Sequence, residues 1–142
     1  MIKFLSFYVE RALALHAEFG PQDTVPGFAA ADLSAKQYIA VRLSALNSTN
    51  QASDATNSGV LGVLQNKPKS GEAATIAYAG VSKIVAGGAI TVGDVITFNS
   101  SGKAATVASG QMAIGRAIEA ATADTQVITA LLFPPVRWAG AA

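Results

Sequence analysis

The chain has 142 residues, 51% of them hydrophobic and only 13% charged, with a formal net charge of +1 and a mean hydropathy of +0.38. This composition excludes intrinsic disorder, which requires low hydrophobicity and high charge, and the length fits one domain with appendages. There are no cysteines, so disulfides, thiolate metal sites and cysteine nucleophiles are excluded together.

A folded monomer of this mass exposes roughly 6,800 Å² by the area scaling law. Ten basic and nine acidic side chains cover that area sparsely, so part of the surface is expected to meet protein. The densest basic pair, Lys67 and Lys69, falls short of the cationic patch that phosphate neutralisation needs, and nucleic acid is not an expected partner. Ser6 interrupts the first apolar run, and Glu10 and Arg11 close it. It is too short for a membrane span or a secretory signal, so no membrane partner and cytoplasmic synthesis are expected.

Residues 1–27 carry Phe4, Phe7, Tyr8 and Phe19. Leu5, Val9, Ala12, Leu15 or His16, and Phe19 fit one helical face that stops at Gly20-Pro21, while Ile2, Phe4 and their neighbours also suit an extended arm. The expectation is an N-terminal helix or arm, with Pro21, Pro26 and Gly27 as a hinge to the body. The body spans residues 28–136. Its first strand signal is residues 38–43, where Ile39, Val41 and Leu43 alternate with Tyr38, Ala40 and Arg42. Residues 47–59, NSTNQASDATNSG, read as a flexible solvent-facing loop.

From residue 60 to 133, glycines punctuate short β-branched runs, which implies an all-β body. The clearest hairpin joins residues 95–98 to 103–107 through Asn99-Ser100-Ser101-Gly102, with Gly102 taking a positive φ. The expected core is Val81, Ile84, Val95, Ile96, Phe98, Ile114, Ile118, Val127, Ile128 and Leu131. Residues 127–133 are apolar at every position but Thr129, as in a strand buried on both sides or covered by a neighbouring subunit. Pro134-Pro135 is expected to end the sheet, leaving residues 137–142, with Trp138, as a tail.

Catalytic sets fail one by one. A serine hydrolase needs a base, and the single histidine, His16, lies in the appendage, where a partly exposed helix-face residue is the plainer reading. Glu72, Asp94 and Glu119 each sit beside a glycine or a strand end, where turn capping or solvation explains them. The glycines do not form a phosphate loop. Residues 54–59 lack the alternating acidic ligands and closing Glu of a calcium loop, and the sequons at Asn47 and Asn99 read as chance matches in Ser-rich turns. Neither an enzyme nor a cofactor is expected. A hammerhead- or clip-like β module that presents a loop to a partner or carries a cofactor is an alternative, but a carrier lysine belongs at a hairpin tip, and Lys83 and Lys103 read as solvent-facing strand residues.

Over residues 62–132 the order of Lys67-Pro68, Gly71-Glu72-Ala73, Gly80-Val81-Ser82-Lys83, Ala86-Gly87-Gly88-Ala89-Ile90, Gly93-Asp94, Ser101-Gly102-Lys103-Ala104 and Ile114-Gly115-Arg116-Ala117 resembles the capsid decoration, or cement, proteins of tailed bacteriophages. The resemblance covers about half the chain. It implies a compact small β-barrel or sandwich of the β-tulip type. It further implies a homotrimer on the outer capsid surface of the virion that reinforces contacts between major capsid protein subunits, without catalysis. The aromatics outside that stretch, Phe4, Phe7, Tyr8, Phe19 and Trp138, are the expected capsid or inter-subunit contacts.

Overall fold

The computed structural model describes residues 22–140. Those residues form nine strands and no helix: β1 (Gln22–Ala29), β2 (Ala40–Ala45), β3 (Ser48–Gln51), β4 (Val60–Leu64), β5 (Ala73–Gly87), β6 (Val95–Phe98), β7 (Ala104–Thr106), β8 (Met112–Ala117) and β9 (Asp124–Arg137). The expectation of a mainly β body holds. Of the helix or arm expected over residues 1–27, residues 1–21 lie outside the described residues, and residues 22–27 belong to β1.

All nine strands belong to one sheet in the order β1-β3-β2-β4-β5-β7-β6-β8-β9, and β1 and β9 each pair back onto β5. The sheet thus returns to β5 from both ends. Gly80 is the changeover: it stands opposite Gln22 of β1 and also opposite Leu132 of β9, and its φ of 94° is open to glycine without steric cost. Beside it, Gln22 Nε2 donates to Val81 O at 2.8 Å, and Gln65 Nε2 donates to Ser82 Oγ at 2.9 Å and to Val63 O at 3.0 Å. Ser82 is fully buried, and these bonds offset the desolvation it would otherwise suffer.

Alternation along β5 sets the core. Ser82, Ile84 and Ala86 are 0% exposed, while Val81, Lys83 and Val85 are half-buried on the other face, as the two-residue strand period requires. One large cluster joins Ile84 to Ile96, Phe98, Ile114, Ile128 and Leu132. A smaller one gathers Leu33, Val41, Leu64 and Ile76 beneath β1. The expected hairpin is present: Ile96, Thr97 and Phe98 oppose Thr106, Ala105 and Ala104, with Gly102 at φ 74° and Asn99 Oδ1 accepting from the Ser101 and Lys103 amides.

Five expectations are corrected. Pro26 and Gly27 are not a hinge, because both lie inside β1 opposite Thr75 and Ala74. Residues 47–59 are not a free loop. They contain β3, with Thr49 at 1% and Ala52 at 0% exposure, and the following turn is tied down by Met112 N donating to Ala55 O at 2.6 Å. Residues 127–133 are not buried on both sides within the chain, and Val127, Leu131 and Ile118 are not core: each is 46% exposed. Finally, Pro134-Pro135 does not end the sheet. Leu132 opposes Gly115 and Val136 opposes Ala113, so the prolines fall in a bulge where three residues face one and no ladder N–H is required of them.

Candidate interaction surface

Of the contact residues expected from sequence, Phe4, Phe7, Tyr8 and Phe19 lie outside the described residues. Trp138 is half-buried and is not a loose tail: its N–H donates to Gln111 O at 2.8 Å, and its carbonyl accepts from Gly110 N at 2.8 Å. Arg137 beside it donates through Nη1 to Gly110 O at 2.7 Å and through Nη2 to Thr56 O at 3.0 Å.

Of the three carboxylates explained by turn capping or solvation, Glu72 and Asp94 hold turns and Glu119 bonds across to β9. Glu72 accepts from the Lys69 amide at 2.7 Å, and Asp94 accepts from the Thr91 amide at 3.0 Å and from Thr106 Oγ1 at 3.1 Å. Glu119 accepts from both the amide (2.9 Å) and the hydroxyl (2.6 Å) of Thr129. Asp54 and Asp32 do the same for Thr56 and Ser34. The Thr56 hydroxyl, then its amide, holds the Asp54 carboxyl below its ordinary value; the hydroxyl and amide of Ser34 act likewise on Asp32. Among the described residues no group of three or more His, Asp or Glu gathers at metal-binding distance.

What the sheet does present is apolar surface. On its outer side β9 places Val127, Thr129 and Leu131 opposite Val85, Lys83 and Val81 of β5, and Ile118 bonds to Thr129 O from the β8 side. A shallow depression of about 330 Å³ opens there, lined by Lys83, Glu119, Val127, Ile128 and Thr129. At the far end of β5, Phe28 is 53% exposed and Leu46, in the β2–β3 turn, 90%. A second depression of about 320 Å³ lies beside Phe28, between Pro26 and Asn47. A surface that leaves this much apolar area to water in a single chain is suited to protein contact. Sequence reading missed Phe28 and Leu46 because single exposed hydrophobics have no pattern. The β9 face did have a signal, an unbroken apolar run whose alternate residues cannot all fit one core.

A family model described as phage cement protein matches residues 20–132. The chain belongs to the phage cement protein family. This family is one of phage structural proteins, and membership brings with it a capsid-associated role in the virion. The fold is also that of a solved structure, the head fiber gp8.5 N base in bacteriophage phi29. That likeness has a TM-score of 0.57 at 20% sequence identity, covering 79% of this chain and 94% of the other. No curated protein matches the chain. The cement-family match contains the whole Lys83, Glu119, Val127 and Leu131 face, whereas Trp138 and the four N-terminal aromatics lie beyond it.

Proposed function

We propose that this protein decorates the outer surface of an assembled phage head and stabilises the contacts between major capsid protein subunits, as a homotrimer with a body of the β-tulip type. The observation that carries the reading is the cement-family match over residues 20–132; the return of the sheet to β5 from both ends supports the compact body. The role involves no reaction and no cofactor. Attachment rests on Phe4, Phe7, Tyr8 and Phe19, with Trp138 as a second contact, because aromatic side chains anchor interfaces through large desolvated area. With a net charge of +1, binding is driven by apolar burial and main-chain pairing and weakens only slightly as salt rises.

Gradient sedimentation with and without phage heads tests the reading, since the protein must travel with the heads. Deleting residues 1–19 then tests the anchor. The truncated chain should lose shell occupancy and lower the temperature at which particles release their genome. A folded, normally oligomeric truncation that still decorates and stabilises heads moves the contact to the β body.

A further inference from the structure

We propose that the outer β5–β9–β8 face is the surface by which three copies of this chain meet, with Lys83 of each copy set against Glu119 of the next. This rests on the homotrimer reading above and names the surface that makes it. The centre of the face is β9, whose inward residues Ile128, Ala130 and Leu132 are at most 3% exposed while its outward Val127 and Leu131 are 46% exposed. Val81 and Val85 extend the apolar surface on the β5 side and Ile118 on the other. Burying such alternate positions is worth about 25 cal/mol per Å², and no other part of the described chain covers them.

The charges on the face say what covers it. Lys83 lies on the β5 side of Thr129, directly opposite it in register, and Glu119 reaches Thr129 from the β8 side. Among the described residues the single ion pair joins Lys103 to Asp124, so Lys83 and Glu119 flank one strand without neutralising each other. Thr129 donates from both its amide and its hydroxyl to Glu119 Oε1, which fixes the carboxylate, and among the described residues no donor reaches Oε2. Two further charges border this side: Arg116, in register with Leu131, is held by Gly93 O at 2.7 Å, and Asp124, opposite Gly87, is paired with Lys103. An apolar strip with a cation along one border and an anion along the other is complementary to itself under rotation. Three strips around a common axis put the Lys83 border of each against the Glu119 border of the next, in a closed heterologous ring. A partner of one charge sign would satisfy only one border.

The test is multi-angle light scattering of the full chain over a concentration series. The wild type should have three times the subunit mass. Lys83→Glu and Glu119→Lys, each placing like charges together, should raise the concentration needed for assembly on the order of tenfold or more, because like-charge contacts cost several kcal/mol. The gap should narrow at high salt. The double variant Lys83→Glu/Glu119→Lys should regain the trimer. An equimolar mixture of the two single variants should regain it only in part, since a ring of three that mixes two chain types always keeps one like-charge contact. Glu119→Gln, which keeps an acceptor for Thr129, should give an intermediate loss and carries the test if Glu119→Lys fails to fold. A wild-type trimer indifferent to both reversals overturns this face while leaving the oligomer standing. A mixture that fully regains its assembly points to an even ring and overturns the threefold arrangement. A wild type that stays monomeric removes the homotrimer reading itself.

Discussion

Gly62 of β4 lies so close to Ala77 of β5 that a Cβ on the glycine would stand 2.0 Å from the Ala77 carbonyl oxygen. The obstacle is backbone in the middle of a paired strand, so no side chain can swing aside. Gly62→Ala should therefore destabilise the fold by about 3 kcal/mol, the upper end of overpacking costs. Gly88 is the contrast, with nothing within 4 Å of its missing Cβ and no positive φ. Gly88→Ala should be neutral or gain up to about 1 kcal/mol by restricting the unfolded chain. Urea midpoints with unchanged slopes decide between them.

The two faces of β9 make a second comparison within one strand. Ile128→Ala, or Ile84→Ala opposite it, removes a fully buried side chain and should cost about 2–5 kcal/mol through lost transfer energy and a residual cavity. Val127→Ala, next door but facing outward, should cost about 0.5 kcal/mol in dilute, dissociated protein. Equal losses at the two positions would mean that β9 is covered on both sides in the free subunit.

The residues explain which parts of this fold were legible in sequence. The β6–β7 hairpin was readable because its signals are local: alternation, an Asn that caps its own turn and a glycine at the positive φ. The turn roles of Glu72 and Asp94 were readable for the same reason, each bonding an amide three residues away, whereas Glu119 bonds Thr129, ten residues on in β9. Long-range partners were not readable. Pro134 and Pro135 are breakers in any local view, and only the bulge against Ile114 makes them harmless. Thr49 looks like loop composition, yet β1 and β2 close over it on either side. Val127, Leu131 and Ile118 have core chemistry, and nothing in a single chain's pattern tells a core face from a face reserved for another subunit. The N-terminal aromatics lie outside the described residues, so that part of the expected contact set is a matter for the deletion experiment.

The Asp54 turn carries a pH dependence with a definite sign. Its folded carboxyl lies below its ordinary value because Thr56 bonds to the charged form, and an unfolded Asp titrates near about 3.9. The unfolded state therefore takes up its proton first as the solution is acidified. The turn's contribution is complete above the unfolded value and is lost as pH falls through the folded one. Thr56→Val removes the hydroxyl donor and should move the Asp54 titration, followed by carboxyl-carbon NMR, upward toward the ordinary value. Asp32, held by Ser34, should not move in that variant. An Asp54 curve that is the same with and without the hydroxyl would show that the turn owes nothing to it.

Arg137 joins three stretches of chain, and its removal should loosen a corner without unfolding the sheet. Its guanidinium donates to Gly110 O at 2.7 Å and to Thr56 O at 3.0 Å, and the Ala55 carbonyl next to Thr56 receives the Met112 amide. The group is exposed, so water replaces part of what is lost, and Arg137→Ala should cost only about 1 kcal/mol in global stability. The local effect is larger than the global one. Exchange of the Met112 and Trp138 amides should accelerate, while the Ile84 and Ile128 amides, deep in the β5–β9 pairing, keep their protection. Trp138 is the only tryptophan, so its fluorescence reports this corner without labelling, and its emission should shift to the red as the residue gains solvent. Arg137→Lys separates charge from geometry. A single ammonium on a flexible stem does not reproduce a planar fork that reaches two carbonyls, so the lysine variant should recover only part of the protection. Full recovery with lysine would assign the corner to charge alone, and unchanged exchange in Arg137→Ala would show that the ladder past Pro134-Pro135 holds the residue 54–56 turn without the arginine.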